Sequence, residues 1–305
     1  MLISCGAPVS GAWARPELVV RFARLAEDLG YHGLWTFQRL LQGEGQNLEP
    51  VYRSVLDPML TLTYAAAHTS RIRLGVAVIN LPYVSPAYLA KQASTLDVLS
   101  GGRHELGLGT GWSRPEFIAT GSDPHPRGRR VVEYLSALRT LWNDEPAMFD
   151  GELYRVAPST MAPRPVQAGG PPVLLGGTAD AALRRAGRIA DGWVSSSRTD
   201  FDTIARGVQI VRRAAEESGR DPDLVRIVVR GVVRAGERDD DLPLSGNWEQ
   251  IRAGAERFAR AGVTELFYDL NWDPRIGSPE AGPAAAADRA EEILTHLAPE
   301  PSLSV

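Results

Sequence analysis

IRLGVAVINLPYVSPAYLAKQASTLDVLSGGRHELGLGTGW, residues 72–112, decides the fold. Residues 72–79 form a short apolar run, rich in β-branched side chains and bracketed by Arg and Pro, which suits a buried parallel strand. Apolar residues recur at helical spacing over 86–99, with Ser85 as N-cap and Pro86 at the first helical position. Ser100-Gly101-Gly102 stops that helix, and a second strand starts at His104 and runs to Leu108. One βαβ unit imposes a parallel, right-handed geometry.

Working outward, the unit repeats. Strands are expected at 2–6, 33–37, 172–175, 193–195, 225–233 and 265–269. Helices are expected at 16–29, 57–68, 127–142, 179–190, 201–218, 247–261 and 284–297. The polar segment 38–52 is too long for an ordinary βα loop. FDGELYRV (149–156) reads as a hairpin turning at Asp150-Gly151, part of an insertion spanning about 147–158. Eight strands alternating with eight helices fit an α/β protein, a (β/α)8 TIM barrel, as a single domain over 1–305 with a frayed tail at 299–305. A doubly wound open sheet is the alternative, but eight regular units leave it no natural edge strands.

Composition narrows the function classes. With 44% hydrophobic and 23% charged residues among 305, the chain has an ordinary globular make-up. A net charge of −4 argues against a nucleic-acid or anionic-membrane partner. Cys5 is the single cysteine, which excludes an internal disulfide framework and a thiolate zinc cluster. No apolar run approaches the roughly 20 residues that span a bilayer, and residues 1–15 lack a signal-peptide layout, so a cytoplasmic location is expected.

In a (β/α)8 barrel the residues just after each strand line the active-site mouth, while the loops leading into strands stabilise. That rule assigns Ser100-Gly101-Gly102-Arg103 and Ala190-Asp191-Gly192 to the far face as structural turns. The mouth should collect Cys5, Gln38, Arg39, Asn80, Gly109, Thr110, Gly111, Trp112, Gly176, Gly177, Thr178, Ser195, Ser196, Ser197, Arg230, Asp269 and Asn271. No His-x-His pair points to a zinc hydrolase, no Gly-x-Ser-x-Gly elbow exists, and only Asp269 supplies a carboxylate, against the two of a glycosidase; no metal is expected. Glycine, amide and hydroxyl groups dominate instead, which suits a large cofactor that carries the chemistry itself. Gly107-Leu108-Gly109-Thr110-Gly111 either admits a ligand to the backbone or makes a tight turn. Gly176-Gly177-Thr178 opens a helix whose free amides favour a phosphate, or is a plain strand-to-helix turn.

Four segments, AEDLGYHGLWTF (26–37), DPMLTLTYAAAHTSRIRLGVAV (57–78), SPAYLAKQASTLDVLSGGRHELGLGTGW (85–112) and PPVLLGGTADAALRRAGRIADGWV (171–194), occur here in a specific order. Together they resemble the bacterial-luciferase-like monooxygenase superfamily, more closely its coenzyme F420-dependent actinobacterial branch. The resemblance implies a non-prolyl cis peptide at Ala77–Val78 whose bulge backs the isoalloxazine or deazaflavin ring. It places Gly107, Gly109, Thr110 and Gly111 beside the cofactor, Gly176, Gly177 and Thr178 on its phosphate, and Asn80 on the ring or ribityl chain. Arg127, Arg129 and Arg130 would meet an anionic tail or form a solvated basic turn. Many F420-dependent relatives carry an acid–His pair where this chain has Gln38-Arg39, and an acid where it has Trp112.

The expected activity is therefore hydride transfer between F420 and a small organic substrate, contacted by Gln38, Arg39, Trp112 and Asp269. One alternative is a two-component monooxygenase using FMN, reduced by a partner reductase, and oxygen. The other is a barrel that binds flavin or a metabolite without turnover. The resemblance also implies a homodimer, with an F420 or flavin reductase as supplier of reduced cofactor.

Overall fold

The computed structural model describes residues 1–197 and 200–300. From the N-terminus the elements are β1 (Leu2–Gly6), α1 (Pro16–Asp28), β2 (Gly33–Thr36), α2 (Pro58–Ala66), β3 (Arg73–Asn80), α3 (Pro86–Ser100) and β4 (His104–Gly109). Next come α4 (Arg114–Ala119), α5 (Arg127–Asn143), β5 (Ala147–Asp150), β6 (Arg155–Ser159), β7 (Val173–Gly176), α6 (Asp180–Ile189), β8 (Gly192–Val194) and α7 (Phe201–Glu216). The chain ends with β9 (Arg226–Ala235), β10 (Leu244–Gly246), α8 (Trp248–Arg260), β11 (Glu265–Asp269), α9 (Pro274–Gly277) and α10 (Pro283–His296).

Parallel pairing runs in the order β9-β11-β1-β2-β3-β4-β7-β8, and a β8–β9 ladder closes the ring. This is the expected (β/α)8 barrel. The strands are short and almost wholly buried because each is covered by side chains inside the barrel and by helices outside. Helix starts follow the sequence signals: the Asp57 carboxylate accepts from Leu60 N at 2.9 Å, and Ser85 Oγ from Tyr88 N at 3.2 Å.

Three small elements were not expected: α4, β10 and α9. The β5–β6 hairpin turns through residues 151–154, with Gly151 N bonded to Tyr154 O at 3.0 Å, rather than at Asp150-Gly151. The tail expected to fray over 299–305 lies mostly outside the described residues.

Inside the barrel a small apolar plug joins Trp35, Ala77, Leu174, Val194, Val228 and Phe267, with the Trp35 and Phe267 rings stacked at 5.3 Å. Below it, charged groups seal the floor. Glu105 pairs with Arg73 and, at 2.7 Å, with Arg226; Arg226 also reaches Glu265, whose other oxygen accepts from Ser4 and the Trp35 indole. Burial pulls the Glu105 pKa up, but Arg226 and Arg73 outweigh it and hold the carboxyl below its ordinary range.

The far-face turns have the structural role expected of them. Arg103 donates to Ser100 O at 2.7 Å, Ile72 O at 3.0 Å and Ala66 O at 3.1 Å, tying the end of α2 to the entry of β3. Asp191 accepts from Val173 N at 2.8 Å and so aligns β7 with β8. Among the described residues no helix is long and apolar enough to cross a membrane.

Candidate cofactor and active site

At the C-terminal ends of the strands a cavity of about 320 Å³ opens. Its walls divide along the barrel. The ends of β3, β4, β7 and β8 supply small and backbone-rich groups: Ala77, Val78, Asn80, Gly109 to Gly111, Gly176 to Thr178, and Ser195 to Ser197. The rest of the lining is bulkier and cationic: Phe37, Gln38, Arg39, Tyr52, Trp112 and Arg230.

The Ala77–Val78 bond is cis, as expected, and the β3–β4 register shifts between Val76 and Ile79. This bulge explains two glycines. A Cβ on Gly109 would lie 2.5 Å from Val78 Cγ2, and one on Gly107 would lie 2.2 Å from Val76 O. Both glycines sit within β4 rather than after it. Gly107 is therefore corrected: it is buried behind the bulge, does not line the cavity, and makes room for β3 instead of for a ligand.

Asn80 and Gln38 hold the rim together. Gln38 Oε1 accepts from Asn80 N at 2.8 Å, and Asn80 Oδ1 accepts from Gly111 N at 3.1 Å. The Asn80 side-chain NH2 has no protein partner among the described residues and remains a donor at the cavity wall. Gly177 is anchored by Trp193, whose indole donates to its carbonyl at 2.9 Å.

The four residues expected to touch substrate differ in placement. Arg39 lies between the rings of Trp112 (4.3 Å) and Tyr52 (4.9 Å) and pairs with Glu116 at 3.3 Å. Trp112 stays 54% exposed at the rim despite that contact. Gln38 lines the cavity but spends its carbonyl on Asn80. Asp269 does not line the cavity: it accepts from Arg230 Nε at 2.6 Å and from Asn271 Nδ2 at 2.9 Å. It is a positioning partner of Arg230, not a substrate contact. Cys5, also assigned to the mouth, is fully buried, and burial together with the nearby Asp269 pushes its thiol pKa far up, so it is inert.

Glu116 was missed. The S-x-x-E spacing at 113–116 resembles a capping box. In the structure Ser113 makes no side-chain cap, and Glu116 instead accepts from Leu40 N at 2.9 Å and faces Arg39. Tyr83 lies beside it, and burial together with that carboxylate pushes the phenol up to about 12.

A second cavity, about 310 Å³, shares Thr110 and Gly176 to Thr178 with the first. The starts of α5 and α6 converge there, with Arg127 and Arg185 on its wall. Arg185 has no ion-pair partner among the described residues, and desolvation lowers its pKa. Arg129 and Arg130 are otherwise engaged, with Glu152 and with the carbonyls of Asp123 and His125. Of the basic turn, only Arg127 faces this groove. A larger cavity, about 640 Å³, opens between the start of α7 and residues 238–257, away from the strand ends.

The chain is thus a closed parallel (β/α)8 barrel with a glycine-lined cleft and an adjoining groove walled by Arg127 and Arg185. The family is set by its sequence: the luciferase-like monooxygenase profile matches residues 4–243, and the chain belongs to that family. It is 32% identical over 288 residues to an uncharacterized protein of Mycobacterium tuberculosis, covering 90% of this chain and 92% of the other. It is 29% identical over 225 residues to the FMNH(2)-dependent dimethylsulfone monooxygenase of Pseudomonas putida, covering 72% and 59%. An F420-dependent secondary alcohol dehydrogenase, solved with an F420-acetone adduct, shares the fold at a TM-score of 0.78 and 17% identity, covering 97% and 99%.

Proposed function

We propose that the protein is an F420-dependent oxidoreductase acting on a small organic substrate. The observation that carries this reading is the unpaired, half-buried Arg185 beside Arg127 and two helix starts, in a groove that continues the glycine-lined cleft. A cofactor with a flat head and an extended anionic tail matches that shape and charge. Val78, Gly109, Gly111 and the Asn80 amide would hold the head; Gly177, Thr178 and Arg185 would hold the phosphate. When bound, the deazaflavin supplies the hydride chemistry. The protein's part is orientation: a donor from Asn80, cations at Arg39 and Arg230, and exclusion of water by Tyr52 and Trp112.

A second reading is an FMN-dependent monooxygenase supplied by a reductase. It draws support from the Pseudomonas putida relative and from Gln38-Arg39 standing where many F420 enzymes carry an acid–His pair. Titration with F420 and with FMN, oxidised and reduced, separates them. The expected result is tighter binding of F420, weakened at least tenfold by Arg185→Ala. Tight FMN binding with oxygen uptake, and none of F420, would replace the first reading by the second.

A further inference from the structure

We propose that the side of the mouth formed by Phe37, Arg39, Tyr52, Trp112 and Arg230 binds the carboxylate of a planar, conjugated acid, with Arg39 and Arg230 as its anion-binding residues. This deepens the proposed function, because it rests on assigning the glycine-lined part of the mouth to the cofactor.

Two cations of this wall are buried. The side chains of Arg39 and Arg230 are 3% and 7% exposed, and each has a single carboxylate partner among the described residues. A guanidinium offers five donors and no acceptor. Nη1 of Arg39 and Nε of Arg230 face those carboxylates, while Nε of Arg39 and Nη2 of Arg230 are buried without a hydrogen-bond partner among the described residues. A buried donor left unpaired carries a desolvation cost, which a bound anion with matching acceptors would recover. Glu116 and Asp269 stand behind the arginines, and no acidic residue lines the cavity among the described residues. The face turned to the ligand is therefore donor-rich and cationic, and its complement is an anion with paired acceptors.

The rings fix the shape of that anion. Tyr52 touches Trp112 at 6.0 Å, Phe37 at 6.0 Å and Trp272 at 5.5 Å, and Arg230 lies 4.5 Å from the Phe37 ring. Phe37, Tyr52 and Trp112 all line the cavity. Arginines interleaved with flat rings form a wall that stacks another flat, electron-rich group and clamps its carboxylate at the edge. Neither arginine lines the phosphate-type groove, which carries Arg127 and Arg185.

The test uses the full-length protein, with and without F420, and three probes: benzoate, benzamide and cyclohexanecarboxylate, measured by calorimetry or saturation-transfer NMR. Benzoate should bind at least tenfold more tightly than either of the others. Arg230→Lys and Arg39→Lys should each remove most of that preference while F420 affinity, titrated in parallel, stays within about twofold and reports that the barrel is intact. Equal binding of benzoate and benzamide overturns the proposal, as does a preference that survives both substitutions. A carboxylate preference without F420 binding refutes the cofactor reading alone. F420 binding without a carboxylate preference refutes the substrate class alone.

Discussion

Arg39 and Glu116 meet at 3.3 Å with side chains 3% and 1% exposed, so the loop after β2 is fastened to α4 by a buried ion pair. The same carboxylate caps Leu40 N. Removing one member of such a pair leaves the other charge buried and uncompensated, which costs about 3–5 kcal/mol. Glu116→Ala should therefore lower stability by that order and loosen the 38–52 segment. Chemical denaturation read by fluorescence checks it; a change within about 0.5 kcal/mol, typical of neutral surface sites, would show that the pair is dispensable.

The β3 bulge sets the tolerance of β4. Gly109→Ala brings a methyl to 2.5 Å from Val78 Cγ2 and should cost about 1–3 kcal/mol through overpacking, with weakened cofactor binding. Gly107→Ala meets a backbone oxygen at 2.2 Å and should be worse. Gly282→Ala, with nothing within 4 Å, is the control and should leave the thermal midpoint nearly unchanged.

His104 makes stability depend on pH. It is fully buried at the start of β4, and desolvation lowers its pKa to about 4 from an ordinary 6.5, against a hydrogen bond to Leu74 O and nearby Asp97 and Glu105. Between those values the unfolded chain binds a proton that the folded chain does not, so stability falls as pH drops from 6.5 to 4. The loss reaches about 3 kcal/mol. His104→Gln should flatten that part of the profile in denaturant titrations at fixed pH steps. An unchanged slope would assign the loss to other groups.

The outer face of α2 and α3 carries exposed apolar side chains: Leu60 and Tyr64 one turn apart, and Tyr88 and Leu99 along the neighbouring helix. Leu60 is 70% and Tyr88 63% exposed. A homodimer through this face is the proposed assembly. Light scattering should give twice the chain mass, falling to one with Leu60→Glu and Tyr88→Glu combined. A monomeric parent protein would refute it.

Residues 72–112 were enough to set a parallel βαβ unit, and its repetition implied the barrel, because hydrophobic period, caps and glycine stops are local properties of the chain. The strand-end rule then placed Asn80, Arg230 and the 176–178 turn at the mouth without any contact being known. Sequence alone could not say which way those side chains are used. Gly107 reads like Gly109 until the bulge on a neighbouring strand distinguishes them. Asp269 reads as the site's carboxylate until Arg230 is seen to cover it. Glu116 lies 76 residues from Leu40, so nothing in its own neighbourhood reveals the loop it holds. Periodicity along one chain segment decides where strands and helices form. Which buried charge meets which, and what is left unpaired, is decided only when distant segments close the barrel and exclude water between them.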